Sequence, residues 1–273
     1  MSSPACCTSG VPTSAAGMGG RGEFVDLEVD GAPTRVRCYR TGPVGAGEGG
    51  GAGEGACVVV VPDIFGVEHA NTVHTCDMLA SGLGCVVLMP DFFKGDAWPV
   101  SDFPPADGAR FGAWLDAAGS WEACRGTLRA AKVVAAREHG AGRVACVGMC
   151  WGASVACEAS CEGSFWLGAV GAHPARVKPE SVRDACGPIM LMPTKGDNVD
   201  PLVEGMAKLH ARDGVSRISE GYLEQQHGFL AARGDYANVE ADRHAIDRAV
   251  AEIVGFLGPL LSGGLQPGAV DDD

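Results

Sequence analysis

The amino-acid sequence predicts an α/β fold, a mostly parallel sheet with helices on both faces. Three observations carry this expectation. From Cys57 onward, short apolar runs alternate with helical segments, the pattern of strands joined by crossover helices. Runs such as Cys57–Val61 and Ile189–Met192 are apolar at consecutive positions, as in strands covered on both sides. The segment Val144-Ala145-Cys146-Val147-Gly148-Met149-Cys150-Trp151-Gly152-Ala153-Ser154 reads as an apolar strand, a sharp turn and the start of a helix.

The elements follow in order. Residues 1–22 are rich in Ser, Ala and Gly without apolar periodicity, and are expected to be a flexible lead; with Arg21 as the sole basic residue, they give little support to a transit peptide. Phe24–Val29 and Thr34–Tyr39 alternate around Asp30-Gly31, a hairpin signal. The stretch 42–55 holds eight glycines and is expected to be a mobile surface loop. Then come a strand at Cys57–Val61, a helix near Thr72–Ser81, a strand at Cys85–Met89 and a Pro-rich excursion. A helix near Trp121–Glu138 leads to the strand Arg143–Val147 and the helix of the sharp turn. Strands at Phe165–Ala172 and Ile189–Met192, a helix near Val203–Ala211, a strand at Arg217–Leu223 and a helix near Val239–Leu257 complete the pattern. The main domain is expected over 23–260, with 261–273 a disordered acidic tail ending in Asp271-Asp272-Asp273.

Bulk properties narrow the function. Lys and Arg number 21 and Asp and Glu 34, a net charge of −13, and no basic cluster appears, so no nucleic-acid partner is expected. The apolar runs are strand-length, so no membrane span is expected. The 12 cysteines are scattered through apolar surroundings, as in a reducing, cytoplasmic compartment. No Cys-x-x-Cys pair occurs, so neither a metal site nor a cofactor is expected. Cys6-Cys7 is either a pair of idle tail thiols or a redox-sensitive pair. The chain is expected to act as a monomer or weak homodimer.

The turn Gly148-x-Cys150-x-Gly152 has the form of a nucleophile elbow with cysteine in place of the usual serine. Neighbours two positions away come too close for side chains, and the following helix aims its free N–H groups at the sulfur, where they stabilise negative charge. Such an elbow needs an acid and then a histidine downstream. Asp197 follows the Ile189–Met192 strand, with Asp200 the less favoured alternative because it precedes a proline. His227 follows the Arg217–Leu223 strand. His173, at the end of another strand, is expected to be a hydrogen-bonded structural histidine. His69, His74, His139, His210 and His244 have nothing around them to recruit them.

Those three segments, together with Pro62-Asp63-Ile64-Phe65-Gly66, Pro90-Asp91-Phe92-Phe93, His227-Gly228-Phe229 and Ala231-Ala232-Arg233-Gly234-Asp235, resemble the dienelactone hydrolase family, closest to its eukaryotic branch, over roughly residues 24–258. The resemblance implies an α/β-hydrolase fold without a cap domain, and hydrolysis of lactones or small esters by Cys150, His227 and Asp197. It implies oxyanion donors at the backbone N–H groups of Trp151 and Ile64. It places Asp63 near the resting thiol, where many members carry Glu; the alternative is that Asp63 braces its own loop. Members that accept dienelactone hold its carboxylate with two arginines, whose positions here are Gly95 and Ala231. The nearest cations are Arg233 and, second to it, Lys94. Phe65, Trp151 and Trp98 are candidates for an apolar wall. The competing reading is a non-catalytic or redox-responsive protein of the same fold with an activated Cys150.

Overall fold

A computed structural model describes residues 20–29, 35–43, 55–163 and 166–264. The expected lead up to residue 19, the Asp30-Gly31 turn, the core of the glycine-rich loop and the final acidic residues lie outside the described residues, as do Cys6 and Cys7.

Eight strands form one sheet in the order β1-β2-β4-β3-β5-β6-β7-β8. β1 (Glu23–Glu28) and β2 (Arg35–Thr41) pair antiparallel, as the alternating pattern predicts, with Phe24 opposite Tyr39. β2 also runs antiparallel to β4 (Val86–Pro90). The other strands, β3 (Ala56–Val61), β5 (Arg143–Met149), β6 (Ala169–Ala172), β7 (Ile189–Met192) and β8 (Arg217–Ile218), continue the sheet in parallel.

β3 explains the two-sided burial. Cys57, Val59 and Val61 pack into one core, and Val58 and Val60 into the other. Helices α1 (Ala70–Leu83) and α7 (Glu240–Leu261) cover the second face. Helices α3 (Trp121–His139), α4 (Gly152–Ala159), α5 (Pro179–Arg183) and α6 (Val203–Asp213) contribute to the first core. Helix ends follow local chemistry. Ser120 caps α3 by accepting from Ala123 N–H, and Gly140 takes the left-handed conformation (φ 64°) at its end.

Three expectations are corrected. The Pro-rich excursion contains helix α2 (Gly108–Ala118), whose N-cap Asp107 accepts from the N–H groups of Ala109 and Arg110. The strand expected at Phe165–Ala172 is only Ala169–Ala172. It pairs residue for residue with β7, which starts after Pro188, a residue without an N–H to donate. The strand expected at Arg217–Leu223 ends at Ile218. Ser219 N–H still donates to Leu191 O, but Ser219 Oγ and Tyr222 OH both donate to Glu252 of α7 and draw the chain off the sheet edge.

β3 sits between β4 and β5, so the chain leaves its carboxyl end in one direction and returns beyond it in the other. Such reversals leave a crevice outside the strand ends. The loops after β3, β5, β7 and β8 all open there.

Candidate active site

Cys150 terminates β5 at φ 57°, a left-handed conformation that a non-glycine residue adopts only when its surroundings hold it there. Three backbone bonds hold it: its N–H donates to Ala172 O at 3.0 Å, and its carbonyl accepts from Ala175 N–H at 3.0 Å and from Ala153 N–H at 3.1 Å. The flanking glycines are required by contact. A Cβ on Gly148 would lie 2.0 Å from Gly152 O, and one on Gly152 would lie 2.4 Å from Val61 O. The elbow therefore presses α4 against the end of β3. That contact brings Trp151 beside the Pro62–Ile64 loop, and the N–H groups of Ile64 and Trp151 have no backbone acceptor among the described residues.

His227 Nδ1 lies 2.7 Å from Asp197 Oδ1. The other oxygen of Asp197 accepts from Thr194 N–H (2.8 Å) and Thr194 Oγ1 (2.6 Å), so the carboxylate is anchored at both oxygens. Asp200 opens a 3-10 turn over Asp200–Leu202 and takes no part in this arrangement. Burial works against charge on the His227 ring. The electrostatic pull of Cys150, the Asp197 hydrogen bond and a hydrogen bond to Cys150 outweigh it and raise the ring well above the usual histidine value of 6.5.

The other described thiols differ in surroundings. Burial pushes Cys85 and Cys124 up to about 12 and Cys161 to about 11. The same cause raises Cys38, Cys57, Cys76, Cys146 and Cys157, whereas Cys186 is exposed. Cys150 is half-buried and faces a cavity of about 910 Å³, which Asp197 and His227 also line. No group of three His, Cys, Asp or Glu side chains suited to a metal ion occurs among the described residues, and no helix described is long and apolar enough to cross a membrane.

Asp63 is 2% exposed and accepts from Phe65 N–H and from Ala232 N–H, each at 3.0 Å. Burial pushes its carboxyl up, and the charge of His69 and these two bonds push back. It thus braces its own loop and ties it to the segment after His227. Phe65 and Trp151 line the cavity as expected. Trp98 does not. It is buried beneath α2, with ring centroids 4.9 Å from Phe111 and 5.3 Å from Trp114.

Arg233 is 2% exposed and lines the cavity. Lys94 is exposed and does not. It sits at φ 53° in a tight turn after β4, where Asp91 accepts from the N–H groups of Phe93 and Gly95. That turn leaves its side chain in solvent, which removes Lys94 from the candidate site.

Sequence reasoning missed three supports. Thr194 holds Asp197. Asn71 and Thr75 of α1 hold the loop after His227, donating to the carbonyls of Phe229, Leu230 and Ala231. Two polar residues four apart on an otherwise apolar helix face were the available signal. His173, the histidine expected at the end of β6, lies beside this arrangement. It is fully buried at φ 38° with its ring edge-on to His227, centroids 5.1 Å apart. Neither ring nitrogen has a hydrogen-bond partner among the described residues, contrary to expectation, and burial followed by the nearby His227 charge holds the ring well below 6.5. Its β-strand end leaves it among apolar neighbours, including Phe229 at 5.9 Å.

Comparison with known proteins agrees with this architecture. The description of the dienelactone hydrolase family matches residues 47–261. The human carboxymethylenebutenolidase homolog is 27% identical over 244 residues, covering 88% of this chain and 91% of its own. A dienelactone hydrolase from Anabaena variabilis superposes with a TM-score of 0.54 at 13% identity, over 87% of this chain and 98% of that one. A hyperthermophilic esterase from Pyrobaculum calidifontis does so with a TM-score of 0.55 at 18% identity, over 89% and 84%. The chain has an α/β-hydrolase fold without an evident cap domain, and it belongs to the dienelactone hydrolase family.

Proposed function

We propose that this protein hydrolyses lactones or small carboxylic esters with Cys150 as nucleophile, His227 as base and acid, and Asp197 as the group that orients the imidazole. The observation that carries the reading is the 2.7 Å contact between His227 Nδ1 and Asp197 Oδ1, with Cys150 on a strained elbow facing the same cavity. The bond to Asp197 leaves Nε2 to exchange a proton with the thiol.

In this reading Cys150 Sγ attacks the substrate carbonyl as its proton passes to His227. The oxyanion forms against the N–H groups of Trp151 and Ile64, at the head of α4. Collapse breaks the carbon–oxygen bond, and His227 returns the proton to the leaving alkoxide. In a lactone, the alcohol remains attached to the acyl group. His227 next takes a proton from water, hydroxide attacks the thioester carbonyl, and the acid departs as Cys150 regains its proton. Arg233 is the group assigned to a carboxylate on the substrate, since a guanidinium grips a carboxylate with two bonds.

Turnover of p-nitrophenyl acetate and of a lactone panel tests this. Cys150→Ala is expected to abolish it. Asp197→Asn is expected to lower kcat by about 10²–10⁴-fold, whereas Asp200→Asn keeps most of it. Undiminished turnover in Cys150→Ala would remove the thiol mechanism, and the reverse ranking of the two aspartates would remove Asp197 from it. Absence of turnover with a still reactive Cys150 would favour the redox-responsive alternative.

A further inference from the structure

The cavity above Cys150 is larger and more aromatic than a single lactone ring requires. Its volume of about 910 Å³ lies near the top of the range that holds drug-sized ligands, roughly 300–1,000 Å³. Much of its lining comes from outside the strand-end loops that carry Cys150, Asp197 and His227. The segment between β4 and α3 contributes Phe103, Phe111 and Leu115.

Phe103 meets Phe65 edge-on at 5.2 Å. Phe111 rests against Trp98 at 4.9 Å, also edge-on. Both Phe103 and Phe111 are only half-buried although they line the cavity. Apolar ring surface left uncovered in a cavity gains free energy when a ligand displaces the water over it, and a ligand ring gains more through edge-on or offset contact. The wall is held from behind: Trp114 Nε1 of α2 donates to Asp96 O at 3.2 Å, and its ring packs on Phe93 and Trp98 at 4.8 Å and 5.3 Å. An ion pair between Asp116 of α2 and Arg176 of the loop after β6 joins the two sides of the cavity at an exposed rim.

We infer that the substrates selected here are esters or lactones whose acyl part carries an aryl ring, the ring seated against Phe103 and Phe111 while the carbonyl lies at Cys150. This rests on the hydrolytic reading above and narrows it from small esters in general to aryl-bearing ones.

The test compares p-nitrophenyl acetate, hexanoate and 4-phenylbutyrate, which share a leaving group. kcat/KM is expected to be about tenfold or more higher for the phenylbutyrate than for the acetate, and higher than for the hexanoate. Phe111→Ala and the milder Phe111→Leu should both lower the phenylbutyrate-to-acetate ratio, Ala more than Leu, with the thermal midpoint reporting folding. Binding of the uncleavable amides acetanilide and 4-phenylbutyranilide, followed by calorimetry, separates the inference from the chemistry. An acetate rate equal to or above the phenylbutyrate rate would overturn the inference and leave the hydrolase reading standing. Equal hexanoate and phenylbutyrate rates would overturn the aryl preference in favour of plain apolar bulk. No turnover of any ester, with 4-phenylbutyranilide binding about tenfold tighter than acetanilide and weakened by Phe111→Leu, would uphold the aryl site and overturn the hydrolysis. No turnover and no such difference in binding would overturn both.

Discussion

His227 is the residue whose environment most decides the chemistry. Burial alone would disfavour its charged form. The electrostatic pull of Cys150 and the bond to Asp197 reverse that and raise it well above 6.5. A raised folded-state value stabilises the native protein below the unfolded value, and this contribution fades as pH rises through the folded one. Its loss therefore lies on the alkaline side of 6.5. Cys150→Ala removes the first of the raising causes and leaves burial opposed by Asp197 alone. The His227 ring should then lose its proton at lower pH than in the wild type, and the alkaline decline in stability should shrink. An NMR titration of the ring in both proteins measures this. An unchanged midpoint would mean that Cys150 and His227 do not share charge.

The elbow shows how one element depends on atoms rather than on propensity. Any side chain at Gly148 or Gly152 meets backbone, which cannot rotate away. Gly148→Ala and Gly152→Ala should each destabilise by about 1–3 kcal/mol or more, as overpacking does. Gly255, in the middle of α7, has open space around its Cβ position and an exposed setting. Gly255→Ala should stabilise by about 0.4–1 kcal/mol, because alanine loses less backbone entropy in a helix. Urea unfolding of the three variants gives opposite signs if the elbow contacts are as described. Equal effects at all three sites would contradict the close approach of α4 to β3.

The whole molecule carries a net charge of −13 and a calculated pI near 4.9, so its distant field repels anions. A carboxylate-bearing substrate must therefore find a local cation, and of the two cations proposed from sequence only Arg233 reaches the cavity. Arg233→Ala should lower kcat/KM for an anionic ester by about 2–4 kcal/mol and for a neutral isostere by much less. In the wild type, added salt should raise the anionic rate by screening the repulsion and leave the neutral rate unchanged. Equal losses on both substrates would assign the Arg233 side chain to holding the cavity wall, where its guanidinium lies 5.9 Å over the Phe103 ring.

The sheet, its two-sided burial, the elbow at Cys150 and the order in which Asp197 and His227 follow were legible in the residues alone, because these depend on local periodicity and on residue types at short spacing. β7 appeared at Ile189–Met192 as read, and α3 differed by a single residue at its end. Asp107 ahead of the apolar positions Phe111, Leu115 and Ala118 was a legible start for α2, but the prolines before it drew attention away. The tertiary structure decided what no local pattern contains. β6 is as long as its partner β7 allows, and β8 ends where Glu252 of a distant helix takes hold of Ser219 and Tyr222. Thr194 fastens Asp197, and Asn71 and Thr75 fasten the His227 loop across more than 150 residues of sequence. Arg233 ranked ahead of Lys94 on the chemistry of its fork alone; a tight turn puts Lys94 in solvent and packing puts Arg233 in the cavity. Residue types and spacing state which chemistry is available, whereas the direction of a side chain depends on backbone turns and neighbours that only the packed chain brings together.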